Sequence, residues 1–203
     1  MRKIAINEIF YSIQGEGFYT GKPAVFIRTA GCNLSCSYCD TDFSEKERLS
    51  CDSILERVRE FPVKMVVLTG GEPTLQAEIL AKLVRQLQQK KYYVTLETNG
   101  TSLDTLDADW VTVSPKLSQG GKWVLRRGQE IKVLCEGQDL SVYEDSEFSH
   151  YFLQPVEIRT RKWGAGERDI KKTREQMKKT IEAVKEKPKW RLSIQIHKEL
   201  GIN

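Results

Sequence analysis

Apolar and polar positions fall into alternating blocks along the chain. The runs "AVFIRTA" (24–30), "KMVVLTG" (64–70), "YYVTLETNG" (92–100) and "DWVTVSPK" (109–116) are short and β-branched, as buried strands are. Between them, "CDSILERVREF" (51–61) repeats Ile54, Leu55, Val58 and Phe61 at helical spacing. "LQAEILAKLVRQLQQK" (75–90) does the same with Ile79, Leu80, Leu83, Val84 and Leu87, and Pro73 and Thr74 suit its entry. "QEIKVLC" (129–135), "HYFLQPV" (150–156) and "WRLSIQI" (190–196) are further strands, and the charged stretch 168–187 reads as a helix with a solvated face. Segments 116–128 and 157–169 read as basic loops. The alternation predicts one domain, 1–203, with a parallel sheet covered by helices. The repeats are too few for an eight-fold barrel of roughly 250 residues, so the expected fold is an α/β partial barrel.

The unusual polar motifs come directly after the apolar runs: GCNLSCSYC (31–39), TGGEP (69–73), ETNG (97–100), SPK (114–116), QPVE (154–157) and QIH (195–197). In a parallel sheet these positions are the carboxyl ends of strands, where loops converge and ligands bind. The functional site is expected at that rim.

Charge adds little, because 32 basic against 28 acidic residues leave +4, which suits an anionic small ligand as well as weak nucleic-acid contact. Asn7 and Glu8 interrupt the apolar start "MRKIAINEIFYSI", so no secretory leader is expected, and no run reaches the ~18 apolar residues of a membrane span. Five cysteines, three of them in one loop, point to metal ligation in a reducing compartment, the cytoplasm, rather than to disulfides. Cys51 and Cys135 read as small buried apolar residues.

Cys32, Cys36 and Cys39 offer three soft thiolates, whereas a structural zinc or a complete iron–sulfur cube takes four protein ligands. The two histidines, His150 and His197, each stand alone. Three thiolates on a four-iron cube leave one iron to an exchangeable ligand. A zinc site borrowing a remote residue, or a non-catalytic redox or metal-binding module, stays open on the cysteines alone. Neither gives the other rim motifs a role.

The C-x3-C-x2-C pattern with Tyr38 before Cys39, followed by GGEP at 70–73, resembles the radical S-adenosylmethionine (SAM) superfamily. There the fourth ligand is the amino and carboxylate end of SAM. "EIFYSIQGEG" (8–17), "FIRTAGCNLSCSYCDT" (26–41), ETNG, SPK, QPVE and the terminal "QIHKELGIN" (195–203) closely resemble the 7-carboxy-7-deazaguanine synthase family of the queuosine and 7-deazapurine pathway, over nearly the whole chain.

That resemblance implies a partial TIM-like barrel of the radical SAM type holding a [4Fe–4S] cluster, SAM and Mg²⁺. It implies a radical ring contraction of 6-carboxy-5,6,7,8-tetrahydropterin to 7-carboxy-7-deazaguanine with loss of ammonia. The cofactor carries the chemistry, so no protein residue is needed as the hydrogen-abstracting base. By resemblance, Cys32, Cys36 and Cys39 hold the cluster, and SAM meets Tyr38, Cys39, Gly71, Glu72, Ser114, Pro115, Lys116, Gln154, Pro155, Val156 and Glu157. The pterin meets Ile13, Gln14, Gly15, Glu16, Arg28, Thr69, His197 and Asn203, the last in a short tail capping the substrate. Some members end in proline where this chain has Asn203. Thr41 matches a Mg²⁺ ligand. A homodimer and a flavodoxin- or ferredoxin-type reductant are implied, with no membrane and no direct nucleic-acid contact. The rival within the superfamily, a glycyl-radical-enzyme activase, acts on a protein; QGEG and QIHK argue for a small substrate instead.

Overall fold

In a computed structural model, residues 2–161 and 166–202 are described. The strands are β1 Ile4–Ile13, β2 Pro23–Thr29, β3 Glu47–Leu49, β4 Met65–Gly70, β5 Tyr93–Thr98, β6 Trp110–Val113, β7 Arg127–Cys135, β8 Glu147–Pro155 and β9 Trp190–Leu192. They form one sheet in the order β3-β1-β2-β4-β5-β6-β7-β8-β9. From β2 to β9 every neighbouring pair is parallel, while β1 pairs antiparallel with both β2 and β3. The sheet does not close, as the partial-barrel expectation required.

The helices are α1 Cys51–Arg59, α2 Ala77–Gln89, α3 Ser141–Glu144, α4 Ile170–Glu186 and α5 Ile196–Leu200. Ser50 starts α1 by accepting from the Ser53 amide at 3.1 Å, and Asp169 starts α4 by accepting from Lys172 at 3.0 Å. Alternation along the strands separates two faces. Leu68, Leu96, Val111, Ile131 and Leu153 join Ile54, Val58, Leu80, Leu83 and Leu87 of α1 and α2 in the main core. Thr69, Glu97, Thr112, Lys132 and Gln154 face the other way and line a cavity.

Two expectations change, and one strand was not expected. The run 190–196 is a strand only to Leu192, and Ile196 already opens α5. Entry to α2 is a 3-10 turn, Pro73–Gln76, capped by the Glu72 side chain. The ten-residue β1 went unread, because its alternation of apolar with polar residues, such as Asn7 and Glu8, reads weakly beside the apolar centres of parallel strands such as 66–68.

Candidate active site

The cysteine segment leaves β2 without regular structure and is pinned from neighbouring rim loops. Asn33 accepts from Asn99 at 3.0 Å and donates to Thr101 at 2.8 Å, both beyond β5. The Ser37 amide and hydroxyl both donate to Gln119, at 2.9 and 3.2 Å, beyond β6. Gly71 allows the β4 loop to pass against this segment, because a Cβ there would lie 2.0 Å from the Gly31 carbonyl oxygen.

All three cysteine side chains line one cavity of about 600 Å³, together with Tyr38, Ser114, Lys116 and residues 154–157. Among the described residues, no three His, Cys, Asp or Glu groups could hold a single metal ion. The thiols do feel one another electrostatically. Burial pushes the Cys32 and Cys36 thiols up, and the Lys116 ammonium partly offsets this at Cys36. Loading therefore must displace protons. Burial in turn lowers Lys116, whose Nζ lies 2.6 Å from the Ser114 hydroxyl.

A second cavity, about 700 Å³, is lined by Ile13, Gln14, Gly15, Arg28 and His197. Glu16, Asp40, Thr41, Thr69, Glu97, Arg159, Gln195 and Lys198 line both cavities, so the two share a wall. Because β1 is antiparallel, residues 14–18 do not leave from the rim; they turn inward over the sheet. Gln14 donates to Glu97 at 3.0 Å, and the Thr69 hydroxyl donates to the other Glu97 oxygen at 2.9 Å. Ile196 donates to the Gly15 carbonyl at 3.0 Å, and a Cβ on Gly15 would lie 2.0 Å from His197 Nδ1. Arg28 sits 5.4 Å over the Phe10 ring and 3.8 Å from Glu8.

The resemblance is borne out by relatives along the whole chain. Residues 26–116 match the Radical SAM superfamily. The 7-carboxy-7-deazaguanine synthase of Bacteroides thetaiotaomicron is 45% identical over 202 residues, covering 100% of this chain and 99% of its own. The enzyme of the same name from Haemophilus influenzae is 36% identical, over 97% and 93%. This chain belongs to the 7-carboxy-7-deazaguanine synthase family. The crystal structure of QueE from Escherichia coli superimposes with a TM-score of 0.70 at 27% identity, covering 95% of this chain and 94% of that one. The family uses a [4Fe–4S] cluster and SAM, and the thiol-lined cavity fits both.

Among the residues matched to SAM, Pro115 does not line the cavity, and Glu72 stands apart. It is fully buried and absent from the cavity lining, its carboxylate accepting from Thr74, Thr98 and Asn99. The Gly71 and Glu72 amides are also taken, by the Thr29 and Gly31 carbonyls at 3.3 and 2.9 Å. Gln154 is buried under Ser193, whose hydroxyl donates to it at 2.8 Å. Glu157 pairs with Arg159 at 2.6 Å, with Arg168 at 3.6 Å and with Lys198 at 3.9 Å. Asn203 lies outside the described residues.

Sequence reasoning missed Glu97, Lys132 and Gln195 as site residues. Glu97 and Gln195 lay inside quoted motifs. Lys132 carried a fainter signal, a charge two positions from Glu130 and followed by the apolar Val133 and Leu134, which puts both charges on one face.

Proposed function

We propose that the two cavities divide one reaction, the conversion of 6-carboxy-5,6,7,8-tetrahydropterin to 7-carboxy-7-deazaguanine with loss of ammonia. Their shared wall carries this reading, since it sets the thiol-lined cavity beside one rich in pterin-matching groups. Cys32, Cys36 and Cys39 would hold three irons and leave the fourth to SAM. When bound, cluster and SAM supply the 5′-deoxyadenosyl radical that abstracts hydrogen. The chain's own residues bind, orient and exclude water.

Tyr38, the backbone near Gly71, Ser114, Lys116 and Gln154 to Glu157 surround the space for SAM. Glu72 serves it indirectly, by fixing the loop. For the pterin, Gln14, Glu16 and Glu97 offer acceptors to the N–H edge, and Arg28 offers its planar fork to the carboxylate. Ile13, Gly15, Thr69, His197 and Ile202 complete that wall, and a capping role for Asn203, by resemblance, belongs to the same proposal. Thr41, on the boundary, is the position for Mg²⁺ shared with the substrate carboxylate. A neutral hydroxyl is a weak ligand, so substrate oxygens and water would fill the remaining positions.

All five cysteines are free, which suits the cytoplasm, and we assign the chain there. No described helix is long and apolar enough to cross a membrane. A homodimer and a flavodoxin- or ferredoxin-type electron donor belong to the same proposal. Anaerobic reconstitution tests it: about four irons per chain are expected, with SAM-dependent conversion of the carboxypterin. A zinc-only protein, or a cluster-bearing one that ignores the pterin, would overturn it.

A further inference from the structure

Lys132 has no place in the assignments above, yet it is buried in the middle of β7 on the cavity face. Its ammonium forms an ion pair with Glu16, whose side chain is only 15% exposed against 8% for Lys132. The other Glu16 oxygen accepts from Gln195 at 2.6 Å. Both carboxylate oxygens are thus fixed from behind, one by β7 and one by the segment entering α5. Glu16 reaches both cavities, whereas Lys132 lines only the thiol cavity.

We propose that Lys132 is the positioning residue of the pterin site, holding the Glu16 carboxylate in one orientation so that its remaining lone pairs accept from the N–H edge of the substrate. This rests on the pterin reading of that cavity.

The charged groups around Glu16 support the assignment. Burial would raise its carboxyl, but Lys132, Gln195 and His197 bring it down to about 2. Glu97 and Glu130 also face Lys132, and the three carboxylates together push the ammonium up against the effect of burial. Lys116 feels Lys132 as a like charge. Glu130, which accepts from the Phe18 amide at 3.1 Å, is raised by burial and so competes less than Glu16 for Lys132. Without Lys132, burial dominates at Glu16, and a protonated carboxyl loses acceptor capacity.

The test is anaerobic pterin binding to the cluster-loaded enzyme between pH 6 and 8.5, for wild type, Lys132→Met, Lys132→Gln and Lys132→Arg, with iron content and SAM affinity measured alongside. Lys132→Met and Lys132→Gln should bind the pterin roughly 10–100-fold more weakly, the loss of a charge-assisted contact. The loss should deepen as pH falls, and SAM affinity should change less than pterin affinity. Lys132→Arg should restore the wild-type pH profile. Lys132→Gln keeps a donor without charge and serves if the methionine variant does not fold. Parallel pH profiles for wild type and Lys132→Gln would overturn the inference. Absence of pterin binding to the wild type would instead overturn the reading of the cavity itself.

Discussion

The Glu72 carboxylate accepts the Thr98 hydroxyl at 2.8 Å, and its second oxygen accepts the Asn99 amide at 2.7 Å. This ties the end of β4 to the end of β5, and Asn99 then holds Asn33 of the cysteine segment at 3.0 Å. A residue of the GGEP motif therefore acts on the cysteine segment through two intermediaries. Glu72→Ala leaves the Thr98 hydroxyl and Asn99 amide buried without an acceptor. We expect a loss of about 3 kcal/mol in unfolding free energy, read by anaerobic urea denaturation of the apoprotein, with poorer iron retention. Unchanged stability would refute the pinning role.

Gly71 makes a separate prediction. A methyl group there would meet backbone, the Gly31 oxygen at 2.0 Å and its carbon at 2.6 Å, and cannot be relieved by a rotamer change. Gly71→Ala should displace the cysteine segment and cut the iron bound after reconstitution severalfold, while far-ultraviolet circular dichroism stays native. Full iron content with only SAM binding weakened would show that the glycine serves the ligand instead.

The parallel part of the fold was legible because its strands have short, β-branched and largely apolar centres, as at 66–68 and 110–113, where every residue is buried. The rim location followed from topology, since each motif trails a strand. Two things were not legible. The inward turn of residues 14–18 depends on β1 running antiparallel, and nothing local in QGEG specifies that direction. The partners of Glu72 and Glu16 lie 26 and 116 positions away in sequence, so one carboxylate proves a structural pin and the other a cavity wall only after folding.

Acid stability should carry the signature of Glu16. Its folded pKa, about 2, lies below the ordinary 4.5, so its contribution is fully present above pH 4.5. It is lost as pH falls through the folded value. The linked stabilisation is on the order of 3 kcal/mol. Urea denaturation of the apoprotein should show Glu16→Gln falling less steeply than wild type between pH 4.5 and 2.5. Equal slopes would mean that the Lys132 pair does not depress Glu16 in solution.

Lys198 links the tail to both halves of the site. Its ammonium pairs with Asp40, directly after Cys39, and stands 3.9 Å from Glu157. With 18% side-chain exposure against 33% for Asp40, the contact is shielded more than an open surface pair. It should be worth about 1 kcal/mol, at the upper end for such pairs. Lys198→Met should therefore raise the pterin KM about fivefold, because α5 carries His197 over the second cavity. The SAM dissociation constant should move less, since the pairs of Glu157 with Arg159 and Arg168 survive. Raising the salt concentration should weaken pterin binding to the wild type and leave the variant less affected. If SAM affinity fell more than pterin affinity, Lys198 would belong to the nucleotide site rather than to the closure of the tail.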